Sequence, residues 1–124
     1  FNFKTGEIAF KAGLTPSTIS TDIYHRNREN GPVYNMATTL DKMMLLGYDL
    51  PTVIQMVTET PAHNFKLCNK GRLEVDYDAD LTIFDVYNEE KNLVDSNGNQ
   101  RITHTHIKPY YAIVAGQTYK VEEK

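Results

Sequence analysis

The run Ser17-Thr18-Ile19-Ser20-Thr21-Asp22, followed by Ile23-Tyr24-His25-Arg26-Asn27, gathers the groups most able to do chemistry. In an extended chain, side chains alternate between faces, so Thr18, Ser20 and Asp22 share one side and Ser17, Ile19 and Thr21 the other. Ile19 is the one large apolar residue among these six, too few for a buried strand. A carboxylate closing a polar face, with His25, Arg26 and Asn27 just beyond, suits a site better than a core. The carboxyl end of a strand in a βα unit is also where barrel enzymes place catalytic groups. A structural role competes: Asp after a strand often caps a turn or a helix. Local sequence leaves both readings open.

Other candidates are weaker. His104-Thr105-His106 would put two imidazoles on one face if it lay in a strand, but two ligands do not complete a zinc site. His63 stands alone in a helical stretch and reads as packed or solvated. Asp78 and Asp80 fall in a turn, where solvated carboxylates are expected. Cys68 lies beside Asn69 and Lys70 and reads as incidental. The sequence contains no glycine-rich phosphate loop and no Gly-x-Ser-x-Gly elbow.

The bulk properties narrow the class. With 124 residues the chain is the size of one modest domain. A net charge of -3 and the absence of basic runs argue against a nucleic-acid surface. No stretch has the apolar length of a membrane span, and no signal peptide is evident. A single cysteine cannot form an internal disulfide, so a cytoplasmic setting is expected. The chain opens on Phe1 in what reads as mid-element, which suggests a piece of a longer protein.

The elements that would position Asp22 follow from spacing. Residues 3–12 read as a helix stopped by Gly13, and Thr15-Pro16 breaks its continuation before the polar strand. Residues 35–46 return to helical spacing, with Met36, Leu40, Met43 and Met44 as a stripe and Asp41 and Lys42 on the other side. Leu50, Val53, Ile54 and Val57 form the cleanest amphipathic pattern, opened by Pro51. A short helical segment over 62–67 follows Thr60-Pro61. From Arg72 the period changes to two, predicting strands over 72–75, 80–86, 102–107, 110–115 and 118–121. Leu81 and Ile83 would lie on one face of the second strand and Phe84 and Val86 near the other, both covered. Asn97-Gly98 and Gly116-Gln117 supply turns, and the tail over 122–124 should fray. The chain thus divides into an α part with one strand, residues 1–67, and an all-β part, residues 68–124. A lone strand cannot satisfy its own backbone groups, so it is expected to complete a sheet elsewhere.

At this point the order of pieces resembles a known family. Ser20-Thr21-Asp22 is followed by Ala37-Thr38-Thr39-Leu40-Asp41-Lys42, by Leu46-Gly47 and by residues 53–62, Val-Ile-Gln-Met-Val-Thr-Glu-Thr-Pro-Ala. Pro61-Ala62, Lys70-Gly71 and Ala79-Asp80-Leu81 form the more specific part. The pattern is similar to the C-terminal third of metal-dependent amidohydrolases, on their dihydroorotase/deacetylase-like side, over about two thirds of this chain. The resemblance implies an α/β fold: the C-terminal part of a (β/α)8 TIM-type barrel, with residues 18–22 as its eighth strand. The strands of a small β-sandwich would follow from Arg72 on. It implies that Asp22 is both a ligand of a divalent metal (one or two zinc ions) and the catalytic proton shuttle. His25, Arg26 and Asn27 become candidates for substrate contact by position. The family's His-x-His on strand one, bridging carboxylated lysine and two further histidines all precede strand eight. The metal would therefore need upstream ligands absent from this chain, and these residues alone are expected to be inactive. Two departures stand out: Asp76 occupies a position where the family commonly has Gly, and the Ala-Pro-His of several dihydroorotases is missing after Asp22.

The expected function is hydrolysis of a C–N bond of a small molecule, by deacetylation, cyclic-amide opening or ring deamination, with ester cleavage also possible in kind. Expected partners are the small-molecule substrate, the missing N-terminal part of the same protein and a second copy in a homo-oligomer, with neither nucleic acid nor membrane. The alternative is a non-catalytic α+β binding or scaffold module.

Overall fold

Five helices and five strands build the chain in a computed structural model that describes residues 1–122. Glu123 and Lys124, part of the tail expected to fray, lie outside the described residues. The helices are α1 (Phe3–Lys11), α2 (His25–Asn30), α3 (Met36–Leu46), α4 (Leu50–Gln55) and α5 (Glu59–Asn64). Three of them begin on a side-chain cap, which satisfies an otherwise orphaned backbone donor. Asn2 Oδ1 accepts from Thr5 N at 2.9 Å, Asn35 Oδ1 from Thr38 N at 2.8 Å and Asp49 Oδ1 from Thr52 N at 3.0 Å. Gly47 ends α3 at φ 127°, under the Phe10 ring, where a Cβ would lie 2.5 Å from Cζ. The last segment starts earlier than its Pro predicts: α5 includes Thr60-Pro61 in its first turn, where proline's missing N–H costs nothing.

The strands are β1 (Leu81–Tyr87), β2 (Lys91–Val94), β3 (Gln100–Thr103), β4 (His106–Val114) and β5 (Gln117–Lys120). They form an antiparallel sheet of order β1-β4-β5 and a separate β2–β3 hairpin. The hairpin turns through Asn97-Gly98 as its sequence demands, with Gly98 at φ 81°. The turn at Ala115-Gly116, both with positive φ, joins β4 to β5. A register shift between Ile83 and Phe84 marks a bulge in the β1–β4 ladder. The core joins the two parts: Leu40 and Met43 of α3, Val53 of α4 and Ile107 of β4 are buried together. Each such side chain contributes roughly 1.5–3 kcal/mol by leaving water.

Several expectations are corrected. Residues 18–22 have no regular secondary structure and pair with no strand among the described residues; Ile19 N–H donates to the Met56 carbonyl at 3.1 Å. A strand exists only as part of a ladder, and none is offered to this segment among the described residues. The stretch 72–75 is not a strand either, and Leu73 and Val75 are each 87% exposed. Ile83 and Val86 are also exposed, so the two faces of β1 are not both covered. The expected strand over 102–107 is broken at His104-Thr105 by a bend, in which Thr103 Oγ1 donates to the Thr105 carbonyl at 2.8 Å. Asp41 and Lys42, expected on the open side of α3, are 0% and 4% exposed. β4 and β2 reach Asp41 through the Ile107 amide and Lys91, and the 31–35 loop reaches Lys42 through the Pro32 carbonyl, contacts that periodicity within one helix cannot register.

The motif that carried the family resemblance is a joint between α5 and β1. Lys70 Nζ pairs with Asp78 Oδ2 at 3.0 Å and with Asp80 Oδ2. Asp80 Oδ1 accepts from Ala115 N at 2.9 Å. These carboxylates are therefore paired, not merely solvated. The Ala115 amide and then Lys70 hold the Asp80 carboxyl below its ordinary range, and the two aspartates raise the Lys70 ammonium. Gly71, at φ 82°, passes so close to α5 that a Cβ would lie 2.6 Å from the Thr58 carbonyl oxygen and 2.7 Å from Ala62 Cβ. Asp76 has φ 69°, the left-handed region in which glycine is favoured and Asp is tolerated.

Candidate functional site

The candidate site is one continuous piece of chain. Residues 18–21 lead in without regular secondary structure, Asp22 turns at φ 48°, and α2 begins three residues later. The turn is local: Ile23 N donates to Thr21 Oγ1 at 3.2 Å. Asp22 is exposed, and its carboxylate has no hydrogen-bond or ion-pair partner among the described residues. The capping alternative is thereby disfavoured, because Asn27 does that work. Its Oδ1 accepts from Tyr24 N at 3.0 Å, one side chain reaching back to the start of its own helix.

The other candidates divide accordingly. His25 stands in solvent, with Nε2 3.6 Å from Glu29 Oε2 one helical turn on. Arg26 is exposed; its carbonyl accepts from Asn30 Nδ2 at 3.3 Å. Asn27 is half-buried, and its carbonyl accepts from Tyr34 N at 3.3 Å, closing the loop back on α2. His25 and Arg26 are thus open to a ligand, whereas Asn27 has its carboxamide oxygen engaged in building the helix that presents them. Nothing in the spacing of His-Arg-Asn-Arg-Glu-Asn announces this helix, which has no apolar periodicity.

As a cation site, Asp22 offers one unengaged carboxylate, chemically apt for a divalent metal but a single ligand. No group of three or more His, Cys, Asp or Glu side chains that could hold a metal occurs among the described residues. His104 and His106 do not form a pair. His104 lies in the link between β3 and β4, its Nδ1 3.5 Å from Glu90 Oε1. His106 opens β4 and stacks on Tyr87, ring centroids 5.9 Å apart, with its Nδ1 buried and unbonded among the described residues.

The loop between α2 and α3 rests on residues that periodicity placed in solvent. Lys42 Nζ donates to the Pro32 carbonyl at 2.9 Å. Its neighbour Asp41 accepts from Ile107 N at 2.8 Å and from Lys91 Nζ at 2.9 Å, binding α3 to β4 and to β2. The one sequence signal for this is an acid–base doublet inside the apolar run Leu40-Asp41-Lys42-Met43-Met44.

Comparison with known proteins agrees with the order of these elements. A deacetylase-like composite domain matches residues 73–120. A deacetylase of Enterococcus faecalis is 53% identical over 119 residues, which are 96% of this chain and 32% of that protein. A deacetylase of Agrobacterium fabrum is 35% identical over 117 residues, 94% of this chain and 28% of that protein. Among solved structures, an adenine deaminase superposes with a TM-score of 0.93 at 52% identity, covering 98% of this chain and 33% of that one. A dihydroorotase superposes with a TM-score of 0.83 at 32% identity, covering 97% and 32%. The likeness is to proteins of the amidohydrolase superfamily. Within it the likeness runs to the deacetylase-like members, and the chain spans about a third of the length of the curated relatives it matches. No described helix is long and apolar enough to cross a membrane.

Proposed function

We propose that the intact protein is a metal-dependent hydrolase that removes an acetyl group from a small molecule. Residues 1–67 would form the end of its barrel and residues 68–124 part of a second domain. The observation that carries this is Asp22: an exposed, unengaged carboxylate closing the polar run of residues 17–22, a placement that suits the catalytic group of a barrel enzyme. The names of the relatives support the acetyl specificity, and those of the solved structures leave deamination and cyclic-amide opening as the nearest alternatives.

One or two zinc ions, held by Asp22 and by ligands outside these residues, would supply the Lewis acidity that makes water nucleophilic near neutral pH. Asp22 accepts the proton that the attacking water gives up and returns it to the leaving nitrogen as the C–N bond breaks. His25 and Arg26, on the first turn of α2, lie within four residues of that carboxylate and offer donors to a polar or anionic substrate.

The test is turnover by the intact protein against N-acetyl and O-acetyl compounds, dihydroorotate and adenine, with metal content measured alongside. Asp22→Asn should lower kcat/KM by about a hundredfold or more, the scale of general acid–base catalysis. Undiminished turnover in that variant would remove Asp22 from the chemistry, and an intact protein with neither turnover nor divalent metal would leave the non-catalytic binding module as the better reading.

A further inference from the structure

Lys42 is the feature that the proposed chemistry does not use and that the fold alone does not require. It is 4% exposed, and its ammonium donates to the Pro32 carbonyl at 2.9 Å, ten residues back in the chain. Burial pushes its pKa down; Asp95 opposes that shift and Lys91 adds to it. An ammonium is strongly hydrated, and a buried one persists where its hydrogen bonds replace that water. The acceptor is the backbone of the loop that carries the chain from α2 to α3. That loop is otherwise lightly held: Tyr34 N reaches the Asn27 carbonyl at 3.3 Å, and Gly31 lies under the Tyr34 ring. Beside it opens a cleft of about 510 Å³, walled by Asn30, Pro32 and Tyr34 on one side and by Lys91, Leu93 and Asp95 of the hairpin on the other. A loop released from Lys42 has that space to move into.

We propose that Lys42 is a positioning residue, tying the loop behind α2 to α3 so that His25 and Arg26 keep a fixed setting relative to Asp22. The inference rests on the proposed hydrolase reading for its effect on substrate, but the tether is measurable without turnover. In the intact protein, Lys42→Met keeps the side chain's length and removes its donors. Amide hydrogen exchange over residues 25–35 should then rise at least tenfold, with β1 and β4 unchanged. Lys42→Arg, which keeps a charged donor, should return it to within about threefold of wild type. With whichever of the acetyl compounds the protein turns over, Lys42→Met should raise KM several-fold and leave kcat within about twofold.

Should Lys42→Met not fold, Gly31→Ala reaches the same tether from the loop. Its Cβ would lie 2.5 Å from Tyr34 Oη at a φ of 75°, straining the loop next to Pro32, and the same local rise in exchange is expected. Unchanged exchange over 25–35 in a folded variant, or a rise spread evenly over the whole chain, overturns the proposal. A protein that shows the local rise but hydrolyses nothing would retain the tether and lose the hydrolase reading.

Discussion

Asp95 and Asp22 show how differently one residue type can be treated in a single chain. Asp95 is 2% exposed and is wrapped in donors. Phe3 N and Asn99 Nδ2 reach its Oδ2 at 2.9 and 3.0 Å, and the Asn97 and Asn99 amides reach Oδ1 at 2.9 Å each. Burial alone would raise its pKa; the four donors outweigh burial and bring it well below its ordinary 3.8. A carboxyl held lower in the folded state than in the unfolded one stabilises the fold above its unfolded pKa and loses that contribution as pH falls through the folded one. The stability of the chain should therefore decline as pH drops below about 4. Asp95→Asn should flatten that decline and cost stability at pH 7, both readable from urea midpoints at pH 7, 4 and 2.5. Equal acid sensitivity in the two proteins would show that other carboxylates govern it. Asp22, by contrast, has no donor among the described residues and is exposed. That contrast was only half legible in the sequence: the polar alternation of residues 17–22 singles out Asp22, while nothing local distinguishes Asp95 from a turn residue in Asp-Ser-Asn-Gly-Asn.

At the scale of elements, what could be read was what the chain determines locally. The helices α1, α3 and α4 carry their own caps in Asn2, Asn35 and Asp49, and Asn97-Gly98 sets its own hairpin. What could not be read depends on partners. The alternation of Leu73 and Val75 suits a strand, yet no neighbouring strand takes it up in the described chain, and residues 18–22 are in the same position. The helix α2 lacks an apolar stripe and depends on Asn27 reaching back to Tyr24. The joint at Lys70-Gly71 is local in cause but long in reach, since it fixes how α5 leads into β1. Gly71→Ala tests it. The added methyl meets the Thr58 carbonyl and Ala62 at a φ where an L side chain is already strained, so the substitution should cost about 1–3 kcal/mol. Gly98→Ala has open space around its Cβ and isolates the backbone strain alone. A smaller loss at Gly71 than at Gly98, by thermal unfolding, would mean that the close approach to α5 does not hold the joint.

At the scale of the whole molecule, Asp41 bonds the helical part to both the sheet and the hairpin. Leu40, Met43 and Val53 meet Ile107 in the core, and Asp41 beside them accepts from the Ile107 amide and from Lys91. Apolar contact between these parts is non-directional; the Asp41 bonds fix the register of β4 and of the hairpin on α3. Asp41→Ala leaves a buried amide and an ammonium without their acceptor. Each hydrogen bond to a charged group is worth about 1.5–3 kcal/mol, discounted for Lys91, whose side chain is 32% exposed. A loss of roughly 2–4 kcal/mol follows, a large share of the 5–15 kcal/mol typical of a domain. Because the lost bonds cross between the two parts, the variant should also unfold less cooperatively, with a smaller urea m-value and with β1–β4–β5 amides exchanging independently of α3. Asp41→Asn retains an acceptor for Ile107 N and should lose less of both. If Asp41→Ala lowers the midpoint while the m-value and the exchange pattern stay those of wild type, Asp41 stabilises the fold without coupling its parts. The apolar contact of Ile107 with α3 would then be sufficient to make them one unit.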